Sequence, residues 1–156
     1  MAPRTQRRNR TDRPRIIGTV QERLLLHRIA QEVLDVLPNL HPELQIDTEA
    51  LDHVRLGFLR EPCKNLLGYC SYSDGRKGRP KTEYEDRHGV HRILLSRISM
   101  NEDLADAVFT VHHEFLHAIL GSAEGHGETF REHEARMVGL DRRIANKIRS
   151  VNRLLS

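Results

Sequence analysis

The sequence predicts an α+β domain on three observations: apolar residues recur at helical spacing near both ends, they alternate as in strands in the middle, and a long amphipathic helix follows the last strand. The chain has 156 residues, enough to bury one core without disulfides or a metal as its only staple. One domain is therefore expected over residues 16–156. Residues 1–15 read differently, with Arg4, Arg7, Arg8, Arg10, Arg13 and Arg15 set against Asp12 alone. Such a segment is expected to be a disordered basic arm attracted to polyanions.

Thr19 followed by Glu22 has the pattern of a capping box. Leu25, Ile29, Val33 and Val36 then keep helical spacing, which predicts a first helix over 19–37, stopped by Pro38. Val54, Leu56 and Phe58 alternate within 52–59, and LLGYCSY at 66–72 is again strand-like, so these two segments are expected to pair as antiparallel neighbours. The polar stretch 73–89 reads as a loop, and HRILLSR at 91–97 as a third strand. Ser99 and Glu102 suggest a second capping box opening a helix that ends near Leu120, ahead of Gly121. Further helices are expected over 128–138 and 141–155.

The helix ending at Leu120 carries HEFLH, residues His113 to His117. Residues four apart share a helix face, so both imidazoles can reach one zinc ion at about 2.0–2.1 Å. Leu104, Val108, Val111, Phe115 and Ala118 gather on the opposite, apolar face, and His112 falls on its flank as a core-edge or supporting histidine. Glu114 lies at the border of the two faces, where a carboxylate reaches water on the ion without displacing a ligand. Zinc held by three neutral ligands lowers the pKa of its water towards about 7, and Glu114 is then the general base. An HExxH string alone arises by chance on amphipathic helices. Its mid-helix position, and histidines that avoid the apolar face, favour the chemical reading.

A third ligand must come from downstream, where Glu124, His126, Glu128, Glu132, His133 and Glu134 are candidates. His126 is favoured because GSAEG at 121–125 forms a turn, and Gly125 and Gly127 allow close backbone approach. His133 is the reserve, while a glutamate would give a two-His, one-Glu set. Cys63 and Cys70 are too few for a zinc ribbon and read as small buried hydrophobes. Tyr69 and Tyr72 read as strand tyrosines packing with a wet tip.

HHEFLHAILGSAEGHGETF at 112–130 resembles the SprT-like metallopeptidases, whose pattern is HExxH followed after a loop by HGxxF. HRILLS, the helix after it and LLGYCSY extend the similarity over about residues 50–138. The resemblance implies zinc on His113, His117 and His126, catalysis by Glu114, and Phe130 packing the next helix onto the active-site helix. It also implies a protease acting on DNA-crosslinked proteins, as in Spartan-like members. No cysteine-rich ribbon follows the motif in this sequence, so DNA contact must come from elsewhere. The expected fold is minigluzincin-like: a small, mainly antiparallel sheet of three or four strands packed with the HExxH helix and flanking helices. A substrate peptide is expected to add to that sheet as an edge strand.

The basic arm and the last helix are the expected DNA contacts. That helix places Leu140, Ile144, Ile148, Val151 and Leu155 on one stripe, Arg142, Arg149 and Arg153 opposite, and Arg143 and Lys147 between. The chain is expected to be a cytoplasmic monomer, nucleoid-associated or nuclear if it binds DNA, with no membrane span and no signal-peptide core. The competing functions are a DNA-binding or regulatory module with a structural zinc, and a metalloprotease for one regulatory protein without DNA.

Overall fold

A computed structural model describes residues 17–52, 54–60, 68–72, 90–121 and 125–155. The arm at 1–15, the loop at 73–89, Cys63 and Glu124 lie outside the described residues, as do the side chains of Tyr69, Tyr72 and Arg153.

Helix α1 spans Val20–Leu40 and opens on the predicted capping box: Glu22 N–H donates to Thr19 Oγ1, and Thr19 N–H donates to Glu22 Oε1. The same carboxylate accepts from Arg97 and Asn101, which ties the start of α1 to a later helix. Those donors hold Glu22 down at about 2, Arg97 contributing most. α1 does not stop at Pro38 as expected but carries it inside and ends at Leu40. Proline removes a single donor, and the N–H of His41 still reaches the Leu37 carbonyl, so the last turn closes. A 3₁₀ turn, Pro42–Leu44, and a short helix α2, Thr48–Asp52, follow.

Strands β1 (Arg55–Phe58), β2 (Gly68–Tyr72) and β3 (Val90–Leu95) form one sheet in the order β1-β3-β2. The expected antiparallel pairing of the first two strands is corrected: β3 lies between them, parallel to β1 and antiparallel to β2. The sheet is therefore mixed, with one pairing of each kind, and not mainly antiparallel. β3 has the apolar side chains to be central, with Ile93 and Leu95 fully buried. There both of its edges are hydrogen-bonded, and among the described residues the shorter strands β1 and β2 form the edges.

After β3 come α3 (Arg97–Glu102), α4 (Leu104–Leu120), α5 (Glu128–Ala135) and α6 (Leu140–Leu155). The helix predicted to open at Ser99 is two helices. Asp103 takes an extended conformation and its carboxylate accepts the Ala105 N–H at 2.9 Å, so the cap of α4 is Asp103. α5 ends at Ala135, three residues short of the prediction, and Gly139 with φ of +90° begins the approach to α6.

α4 is the axis of the molecule, contacting α1, α3, α5, α6, β2 and β3. Its predicted apolar face is buried: Leu104, Val108, Val111, Phe115 and Ala118 join a core with Ile29, Val33, Leu37, Ile93, Met137, Ile144 and Ile148. Cys70 packs half-buried against that core. On α6 the predicted stripe is seen in buried Ile144 and Ile148, with Arg142, Arg143 and Arg149 exposed. Lys147 is drawn aside to pair with the nearly buried Glu32 of α1 at 2.8 Å. Among the described residues, no helix is long and apolar enough to cross a membrane.

Candidate metal centre

α4 presents His113 and His117 one turn apart, half-buried on the side away from its apolar face. Gly121 closes the helix with φ of +85°, and Gly125 takes φ of +57°, a region only glycine enters freely. Beyond that turn His126 stands against the other two rings. Nε2 of His117 is 3.1 Å from Nε2 of His113 and 3.0 Å from Nε2 of His126, and the third edge of the triangle is 3.3 Å.

Three imidazole nitrogens in mutual contact cannot satisfy one another, since each neutral ring has a single proton to give. The N–H of His113 is spoken for. Its Nδ1 lies 3.0 Å from Glu134 Oε2, and a carboxylate there accepts, so Nε2 is the lone pair that faces the triangle. Burial holds His113 below the usual imidazole range despite the Glu134 charge, and it brings His117 down to about 4 with help from His113 and His126. A His113 lone pair turned towards the Nε2 atoms of two further imidazoles is an arrangement that suits a cation. Tetrahedral ligands with zinc–nitrogen bonds of about 2.05 Å stand about 3.3 Å apart, close to the observed edges. Among the described residues the triad supplies three protein donors, as a catalytic zinc site does, whereas structural sites close with four.

Glu114 is buried beside the triad, with Oε1 at 3.9 Å from His113 Nε2. Burial pushes its carboxyl up to about 7. The structure thus brings together all four predicted site residues, His113, Glu114, His117 and His126. The other candidates go elsewhere. Glu128 and Glu132 are exposed, and His133 faces away towards Glu43. Glu134 stands behind His113 as its hydrogen-bond partner.

Phe130 does more than pack helices. Fully buried, its ring lies 4.4 Å from that of His117 in a stacked arrangement and meets His113 and His126 edge-on at 4.9 and 5.2 Å. It is the common floor of the three rings. Gly68 at the start of β2 was not foreseen. A Cβ there would come within 2.8 Å of Thr110 Cγ2 and 2.9 Å of Glu114 Oε1, so only glycine lets the strand pass so close to this carboxylate. The signal was a glycine inside a strand pattern, which marks close approach.

Compared with protein-family models, curated proteins and solved structures, the chain matches none of them.

Two consequences of this geometry are measurable. Glu134→Ala frees the Nδ1 proton and the ring orientation of His113, and is expected to weaken any divalent-metal binding by the triad by about 10 to 100-fold in competition with a chelator. An unchanged affinity would show that Glu134 only happens to lie near. Gly68→Ala is expected to destabilise the fold by about 1–3 kcal/mol through overpacking against Thr110. The same change should turn Glu114 away while the triad's metal affinity stays within a few-fold, so a loss of metal binding would contradict this placement.

Proposed function

We propose that this chain is a zinc-dependent endopeptidase of the SprT-like, minigluzincin-like kind, acting on DNA-associated or DNA-crosslinked proteins. One observation carries the reading: three Nε2 atoms 3.0–3.3 Å apart with a buried carboxylate alongside. His113, His117 and His126 would hold the ion. When bound there, zinc supplies a Lewis acid and lowers the pKa of the attacking water towards about 7.

The protein's own groups do the rest. Glu114, in a dry environment with its pKa near neutrality, accepts a proton from the attacking water and returns it to the leaving amine. Glu134 fixes the tautomer of His113, and Phe130 fixes the planes of all three rings. Among the described residues β2 is an edge strand whose first residue lies against Glu114, so a substrate chain added alongside it would pass the base. Exposed Arg142, Arg143 and Arg149 on α6, with the basic arm, would hold DNA phosphates without reading sequence.

The experiment uses a DNA-binding protein as substrate, with and without duplex DNA, from low to high salt. Cleavage is expected to need zinc, to rise with DNA and to fall steeply with salt, and to lose both the DNA stimulation and the salt dependence once residues 1–15 are deleted or the three arginines replaced. Cleavage that needs zinc but ignores DNA and salt would favour a protease for one specific target. Zinc binding without cleavage of any protein would favour a regulatory module.

A further inference from the structure

A second histidine cluster lies where the end of α1 meets α5, separate from the triad. It consists of His41, Glu43, His133 and Arg136, with His112 of α4 behind. His41 and His112 are fully buried, and His133 nearly so.

Proton accounting shows what these rings present. Nδ1 of His133 is 2.8 Å from the Thr129 carbonyl, which only accepts, so that nitrogen is the donor. The opposite nitrogen, Nε2, is buried 3.0 Å from Glu43 Oε1 yet outside hydrogen-bonding geometry. A protonated ring would aim an N–H at the carboxylate, and this contact does not have that direction. Nδ1 of His41 faces the Arg136 guanidinium at 3.4 Å, and a guanidinium only donates. The proton of His41 is therefore on Nε2, directed at His112 Nε2 at 2.9 Å. Two imidazole lone pairs and a carboxylate thus converge, each ring with its tautomer set from behind, as metal-binding histidines have. One donor atom from each of His41, Glu43 and His133 lies within 4.8 Å of the others.

We propose that His41, Glu43 and His133 form a second metal site, for a borderline divalent ion such as zinc, cobalt(II) or nickel(II), which fills when Arg136 swings out. Two imidazoles and one carboxylate suit such ions. Arg136 is the resident cation: it pairs with Glu43 and donates to the Leu40 carbonyl at 3.1 Å. Its side chain is 32% exposed, so solvent is open to it when it leaves. Because an ion must displace it, this site is weaker than the three-histidine site. A bound ion would pin the end of α1 to α5 and, through the His41–His112 contact, brace the helix that carries His113. The proposal stands whether or not the triad is catalytic.

The test titrates the metal-free full chain with zinc by calorimetry, repeated with cobalt(II) by absorption. Wild type is expected to take up two equivalents, one tight and one weaker. Glu43→Gln alters a side chain that is 46% exposed, so the core stays intact, and it should abolish only the weaker event. Arg136→Gln should tighten that event at least tenfold by removing the competing cation. His126→Ala should weaken the tight event and leave the other. A single equivalent in both wild type and Arg136→Gln would overturn the second site, as would a weaker event that survives Glu43→Gln undiminished.

Discussion

Replacing Glu114 by glutamine is expected to lower peptide cleavage by about 10²–10⁴-fold while zinc stays bound, because an amide of the same shape accepts no proton. The same change has an independent signature in the metal-free protein. Burial raises the folded-state pKa of Glu114 from 4.5 to about 7, so the folded form bears the cost of ionising this group at alkaline pH and the unfolded form does not. The cost is absent below about pH 4.5, grows as pH rises, and is complete above about 7. A shift of this size corresponds to about 3 kcal/mol. Glu114→Gln should therefore be more stable than wild type at pH 8, by about 2–3 kcal/mol in denaturant titrations, with the difference gone at pH 4. A glutamate kept for structure would behave the other way, its loss destabilising the fold at every pH.

The second large effect is acid lability, set by His41 and His112. Burial, joined by repulsion from His133 whenever that ring is protonated and by the Arg136 charge, brings His41 down to about 4. Burial, joined by His41, His113 and His133, brings His112 to about 3. Unfolded imidazoles titrate near 6.5, so between about 6.5 and 4 the unfolded chain binds more protons than the folded one. The stability these rings contribute is complete above about 6.5, declines as pH falls below that, and is gone once pH has passed through about 4 for His41 and about 3 for His112. Each shift corresponds to on the order of 3 kcal/mol. The rings touch and do not titrate independently, so the joint loss is on the order of 5 kcal/mol, comparable to the whole stability of a small domain. Thermal unfolding at pH 7.5, 6, 5 and 4 should show the melting temperature falling by about 10–20 °C across that window. Glu22, held at about 2, loses its contribution only below about 4.5, so carboxylate-driven loss comes later. A flat profile from pH 7.5 to 4.5 would refute the neutral, buried state of these rings.

Local signals were legible in the sequence wherever the physics is local. Thr19 and Glu22 satisfy each other within one turn, and the i, i+4 spacing of His113 and His117 fixes a shared face whatever the rest of the chain does. His126 was readable because glycines on both sides of a histidine near a helix end have few other uses. Strand order was not readable, since the central place of β3 depends on apolar partners from distant segments. Asp103 outcompeted Ser99 as a cap through a single hydrogen bond to Ala105, a choice that two adjacent capping patterns cannot decide alone. His112 read as a flank residue because helical projection shows the angle of a side chain but not its neighbours; His41 and His133 come from 71 residues before it and 21 after. Glu134 is a candidate ligand in the sequence for the same reason: the sequence places a carboxylate near the site but not on which side of the imidazole it stands.

The most direct test of the zinc-peptidase reading is to titrate the metal-free chain with zinc while following bound ion and peptide cleavage together. Cleavage should rise in proportion to the first, tight equivalent, level off when it is filled, and be lost in His126→Ala at the same zinc concentration. Cleavage by the metal-free protein, or a fully loaded first site with no cleavage of any protein substrate, would contradict it.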